Sequence, residues 1–165
     1  MILIVHLGNI NNRGGDIMNS KNIKSLNTIL EGEYMAIKSF DALIEHANAV
    51  ITKNELQKIQ QTHRHHASQI CTKIQNLGGN PSESVGIQGV VAETISNIKH
   101  IGTTDNTAYL KEALQDEYMG IKAIKELLAD NTNSSSSKLL NNIITQHQTN
   151  INSLNTLIST TRNAQ

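Results

Sequence analysis

An apolar helical stripe that is broken at its centre, and repeated once at a fixed offset, constrains this chain more than any other feature. Leu26, Leu30, Glu33, Ile37, Phe40 and Ile44 advance in alternating steps of four and three, a spacing that keeps six side chains on one face of a helix. Leu110, Leu114, Glu117, Ile121, Ile124 and Leu128 advance in the same steps, 84 positions later. A second pair of stripes keeps that offset. One reads Leu56, Ile59, His63, His66, Ile70, Ile74 (or Cys71) and Leu77, the other Leu140, Ile143, His147, Leu154 and Ile158. Tyr34 and Tyr118 are also 84 apart, and no gap is needed through either pair of helices.

Such a repeat reads as two helical hairpins of one design. The spacing predicts a first helix from about Asn22 to Asn48 and a second, opened by the capping box Thr52-x-x-Glu55, to about Leu77. Gly78, Gly79 and Pro81 close it. Val90, Val91, Ile95, Ile98 and Ile101 make a short amphipathic run, irregular at Gly86 and Gly89 and ended by Gly102. Thr104 or Asp105 caps a third long helix reaching Ala129. Residues 130–137, with four consecutive serines, read as a flexible loop before a last helix from Lys138 to Thr161. The expected fold is therefore all-α: an antiparallel four-helix bundle with one long crossover that contains the short helix. The crossover is long enough to travel back along the bundle, which sets the third helix antiparallel to the first.

Residues 1–17 stand outside this pattern. The apolar start Met1-Ile2-Leu3-Ile4-Val5 is too short for a membrane span, and no cationic segment precedes it. Arg13-Gly14-Gly15-Asp16 followed by Ile17-Met18 is what a translated ribosome-binding sequence would spell. The segment is expected to be disordered, loosely attached or an annotation overrun, with the bundle occupying residues 18–165 and Met18 as the native start.

Fourteen basic and fourteen acidic side chains cancel, and aromatic residues make up 2% of the chain. Neither phosphate neutralisation nor base stacking has its residues, so nucleic acid is excluded as a main partner, and no stretch predicts a membrane partner. The single cysteine, Cys71, fits a reducing cytoplasm and reads as a small packed side chain. A homo-oligomer, a dimer first, is expected, although no interface patch stands out in the sequence.

The four interrupted stripes carry the chemistry. A carboxylate in a core stripe costs several kcal/mol unless something pairs with it, so the four polar breaks are expected to meet inside the bundle. With the turn at Ala47 to Thr52, Glu33 and His63 remain about five residues out of level by the rise per residue. Two carboxylates and two imidazoles from four helices suit iron, manganese or zinc. The other reading is a metal-free layer of Glu–His hydrogen bonds. His66, one turn beyond His63, is an added candidate ligand whose counterpart is Asn150, and Gln60 is a further one. His46, Arg64, His65 and His100 are expected in solvent. Tyr34, Tyr118, Met35 and Met119 read as packing at the helix flanks.

Glu on the first and third helices, His on the second and fourth, and the long second connection resemble the ferritin-like superfamily. Glu31-Gly32-Glu33-Tyr34 and Leu77-Gly78-Gly79-Asn80-Pro81 resemble a bacterial branch of it, domains of unknown function related to rubrerythrins and bacterioferritins, over residues 22–162. The resemblance implies a carboxylate-bridged di-iron site in which Glu33 and Glu117 are the lone carboxylates and His63 and His147 end two Glu-x-x-His motifs. The chain departs from that pattern: Gln60 and Ile144 stand where the motif glutamates belong. Two Glu and two His suit one metal better than two.

Three function classes follow from the sequence. One is a metal-binding protein, iron first, with iron-oxidation or peroxide-related chemistry on a small-molecule oxidant at a reduced site. Another is a non-catalytic stress or spore-coat-associated bundle that keeps the fold with a vestigial site. The third is a helical interaction module.

Overall fold

The computed structural model describes residues 12–83, 105–130 and 134–163. Four helices account for nearly all of them: α1 (Asn12–His46), α2 (Val50–Asn76), α3 (Asn106–Asp130) and α4 (Ser134–Asn163). The expected all-α four-helix bundle is the one found, with no strand among the described residues. The expected crossover helix, Gly86, Gly89, Gly102 and His100 lie outside the described residues, as do residues 1–11 of the N-terminal segment.

The helix boundaries differ from expectation at both ends. α1 begins at Asn12, ten residues before Asn22, and its residues 15–21 are exposed. Residues exposed in this way need no apolar period, so none marks the stretch. Ser134 to Ser137, expected in a loop, form the first turn of α4, and Ser136 is buried. Serine is tolerated in a first turn, where its hydroxyl sits among unsatisfied backbone N–H groups.

Local chemistry sets the turns. α2 begins at Val50, and no side chain caps it. The expected box does not form, because Thr52 is buried and Glu55 accepts a hydrogen bond from Ser153 Oγ on α4. Asn106, the first residue of α3, ties down the turn before α2: its Oδ1 accepts the N–H groups of Asn48 and Ala49 at 2.9 and 2.8 Å. Asp105 caps α3, its Oδ1 accepting the Thr107 N–H at 2.9 Å. α2 ends in a double-bonded glycine turn. Gly78 has φ of 79° and donates to Gln75 O, while Gly79 donates to Ile74 O. Gly79 also lies so near α1 that a Cβ there would come 2.7 Å from Ile23 Cγ2. Beyond the turn, Ser82 donates to Asn27 and Glu31 of α1, which holds the chain there against α1.

The hairpin registers are symmetric, which removes the offset expected between Glu33 and His63. Glu33 stands thirteen residues before His46, where α1 ends, and His63 thirteen after Val50, where α2 starts. Glu117 and His147 stand in the same relation to Asp130 and Ser134. The turn between α1 and α2 is only residues 47–49, shorter than the Ala47 to Thr52 turn assumed from the sequence.

Two apolar clusters fill the interior. Phe40, Leu43, Leu56, Ile59, Tyr109, Leu110, Leu154 and Ile158 belong to one, and Leu26, Leu30, Ile70, Ile74, Ile124, Leu140 and Ile143 to the other. Pairing Leu43 with Tyr109 in one cluster and Leu26 with Ile124 in the other sets α3 antiparallel to α1, as expected. Ser39 on α1 reaches Asp116 on α3 at 2.7 Å in the same sense. Between the clusters lies the polar layer.

Candidate metal centre

All four polar breaks meet. Glu33, His63, Glu117 and His147 are each at most 4% exposed, and His66 is fully buried beside them. His63 Nδ1 lies 2.7 Å from Glu33 Oε2, and its Nε2 lies 2.9 Å from Glu117 Oε1. His147 Nδ1 repeats the first contact one hairpin later, 2.7 Å from Glu117 Oε2. Carboxylates accept and do not donate, so each of these three ring nitrogens donates. Asn150, the counterpart of His66, donates to Glu117 Oε2 at 3.2 Å. Both oxygens of Glu117 are thus taken up by protein N–H groups.

Glu33 Oε1 is in a different position. His66 Nδ1 lies 3.3 Å from it and His147 Nε2 3.6 Å, and neither nitrogen has a hydrogen-bond partner although both are buried. His66 Nε2 donates to Gln146 Oε1 at 2.6 Å, since an amide oxygen can only accept. His147 Nδ1 carries its proton towards Glu117. When that proton is the only one the ring carries, the remaining nitrogen of each presents a lone pair towards the carboxylate oxygen. Lone pairs aimed at one another without a hydrogen repel, and a cation between them turns that repulsion into coordination. One ligand atom from each of Glu33, His63, His66 and His147 falls within 4.8 Å of the others. The donor set suits a metal ion.

Electrostatics follow from the same contacts. Burial by itself raises Glu33, but the close imidazoles of His147, His63 and His66 prevail and hold its carboxyl well below the ordinary 4.5. Glu117 is lowered too, by His147 and His63 acting against burial. Burial lowers His63, yet the hydrogen bonds to Glu117 and Glu33 outweigh it and carry the ring up to about 10. His147 rises for the same reason. The metal-free layer is a lattice of carboxylates and imidazolium N–H groups.

A cavity of about 620 Å³ opens between α1 and α3 and reaches this layer, where Glu33, His63 and His147 line its floor. Small residues make the opening: Gly32 and Ala36 on one side, Gly120 and Ala123 on the other. A Cβ at Gly120 would stand 3.0 Å from His147 Cε1. Asp116 lines the same cavity, its carboxyl raised by burial against the opposing Ser39 hydroxyl.

Residues 21–130 match the model of DUF2383, a domain of unknown function. The chain belongs to that family. The DUF2383 chain is also similar to solved structures. One is a two-domain protein of Anabaena variabilis ATCC 29413 containing DJ-1/ThiJ/PfpI-like and ferritin-like domains (24% identity, 84% of this chain and 39% of that one, TM-score 0.72). The chain therefore spans well under half of that relative. A second is a ferritin-like, diiron-carboxylate protein from Bacillus anthracis str. Ames (22% identity, 86% and 97%, TM-score 0.65). A third is the bacterioferritin-related protein from Bacteroides fragilis, a dodecameric thioferritin (17% identity, 93% and 96%, TM-score 0.69). No curated protein matches. These likenesses make the fold of the DUF2383 chain ferritin-like.

The sequence-predicted site residues divide into two groups. Glu33, His63, His66, Glu117 and His147 come together. Gln60 instead directs its amide nitrogen to Ile37 O at 3.0 Å and Asp41 Oδ1 at 2.7 Å. Its expected place in a ligand shell is thereby turned to fixing α2 on α1. Sequence reasoning missed Gln146, Gly120 and Asp116. Gln146 lies immediately before His147 on the helix, off the apolar stripe, and nothing in its spacing marks it as the partner of a ring 80 positions away. Arg64 and His65 are exposed as expected, while His46 folds back on Ala42 O at 2.8 Å. Tyr34 packs at the flank against Cys71 Sγ at 3.6 Å, its hydroxyl pushed up to about 12 by burial and then by that neighbour. Tyr118 and Met119, read as packing residues, are instead 51% and 59% exposed, because α3 turns that face outward.

Proposed function

We propose that this protein is a ferritin-like metal-binding protein whose buried Glu/His layer holds iron, with manganese or zinc as competitors, and admits a small oxidant through the α1–α3 cavity. The observation that carries this reading is the pair of buried, unpartnered imidazole nitrogens beside one carboxylate oxygen. A bound iron would supply an electrophilic, redox-active centre. The chain's own residues do the rest. Glu117 fixes the tautomer of His147 and Gln146 that of His66, the outer-shell orientation on which metal affinity depends. The apolar clusters keep bulk water out above and below, while the cavity leaves one side reachable.

The competing reading is a structural layer, favoured by His63, whose two nitrogens are satisfied without any ion. Anaerobic titration with ferrous iron, followed by elemental analysis after gel filtration, separates the two. Metal binding requires deprotonated imidazoles, so uptake releases protons into a weakly buffered solution. Stoichiometric iron with proton release is the expected result, lost in Glu33→Gln. A chain that retains no metal and releases no protons is a structural bundle. Cycling the loaded protein with oxygen or peroxide, monitored by absorption, then tests the redox part.

A further inference from the structure

The two hairpins share a design but do not offer equivalent ligands, and that inequality bears on how many ions the layer holds and on which side. The inference rests on the metal-binding reading above. We infer that the layer binds a single ion, held by Glu33 Oε1, His66 Nδ1 and His147 Nε2, and that His63 is a positioning residue occupying the place where a second ion would otherwise sit.

Four observations carry this. His63 is committed at both ring nitrogens, to Glu33 Oε2 and Glu117 Oε1, and so spans the two carboxylates as a bridging cation would. Glu117 is likewise committed at both oxygens, to His63, His147 and Asn150. The nitrogens that remain without partners are His66 Nδ1 and His147 Nε2, and both lie beside the same oxygen, Glu33 Oε1. The asymmetry has a sequence origin. The position that carries His66 in the first hairpin carries Asn150 in the second, and an amide that donates to Glu117 consumes a ligand oxygen where an imidazole would add a ligand nitrogen. Gln60 and Ile144, three positions before His63 and His147, add no carboxylate that could neutralise a second dication. Two imidazoles and one carboxylate on one ion leave coordination positions open, an arrangement suited to ferrous iron. His147 and Glu33 also line the cavity, so an exogenous small ligand has a route to those positions.

The experiment is a titration of the full chain with Mn(II) and, anaerobically, with Fe(II). It is read by elemental analysis, electron paramagnetic resonance of the Mn(II) form and X-ray absorption of the Fe(II) form. Expected are one ion per chain, the hyperfine pattern of an isolated Mn(II) ion, two imidazole scatterers and no metal–metal distance. His66→Asn, which copies the counterpart position, abolishes stoichiometric binding while helicity and the urea midpoint stay near the parent. His63→Gln retains one ion with affinity lower by about 10–100-fold, the range for a residue that orients ligands. Gln146→Leu falls in the same range. Two ions per chain, a coupled Mn(II) spectrum, or unchanged binding in His66→Asn would overturn this assignment while leaving the metal-binding function standing. If the parent chain takes up neither metal, both fall. Where a variant does not fold, the absorption and resonance spectra of the parent chain decide alone.

Discussion

His63 and Glu33 show how one layer of side chains responds to protons and to metal in opposite directions. His63 titrates at about 10 in the folded chain against an ordinary 6.5. A group raised on folding contributes stability in full below its unfolded value, and that contribution is lost as pH rises through the folded one. Glu33 is lowered, so its contribution is complete above 4.5 and is lost as pH falls through its depressed value. The metal-free protein should therefore lose stability steadily from pH 6.5 towards 10, measured as the urea midpoint, and His63→Gln should flatten that slope. Metal affinity should rise over the same range, because protons leave the imidazoles. A metal-free midpoint that stays level over this window would contradict the protonated His63 described here.

At the level of the helices, α3 brings its backbone close to the site at Gly120. Gly120→Ala would bring a Cβ to 3.0 Å from His147 Cε1. His147 cannot swing freely because Glu117 holds its other nitrogen, so the ring shifts and metal affinity should fall. Gly32→Ala, across the same opening, meets nothing within 4 Å. It should leave metal binding unchanged and stabilise α1 by about 0.5–1 kcal/mol, the usual gain of alanine over glycine inside a helix. Isothermal titration with Mn(II) and urea unfolding of the two variants make the comparison. Equal metal affinities would remove Gly120 from the site. At the far end of α2, Gly78→Ala at φ of 79° should cost about 1 kcal/mol or more in thermal or urea unfolding, since an L side chain is strained there.

For the molecule as a whole, the polar layer divides one core into two, and that division should not be needed for stability. Replacing a buried ion-pair network with apolar side chains of similar volume is commonly neutral or stabilising by ~1–4 kcal/mol, whereas removing one partner alone costs ~3–5 kcal/mol. A chain with Glu33, His63, His66, Glu117 and His147 all replaced by apolar residues should fold at least as stably as the chelated parent and bind no metal. Glu117→Leu alone should be severely destabilised, because His63 and His147 lose an acceptor together. Urea unfolding in chelator tests both, and a large loss in the fully apolar chain would mean that the layer itself specifies the fold. By itself the sequence determined the bundle, the hairpin repeat and the five residues that meet at its centre. Helical periodicity with a fixed offset is a local, one-dimensional signal, and Glu and His interrupting an apolar stripe betray their own positions. Periodicity could not extend to the exposed start of α1 or to the serine turn of α4, where no buried apolar side chain marks the helix. Only the tertiary structure decided that the turn residues 47–49 bring Glu33 level with His63. It also decided that Gln60 serves Asp41, that Gln146 holds His66, and that His63 has no nitrogen left for an ion. Each of these depends on which oxygen, within a distance of about 3 Å across separate helices, a side chain reaches first, and that competition is settled in space rather than along the chain.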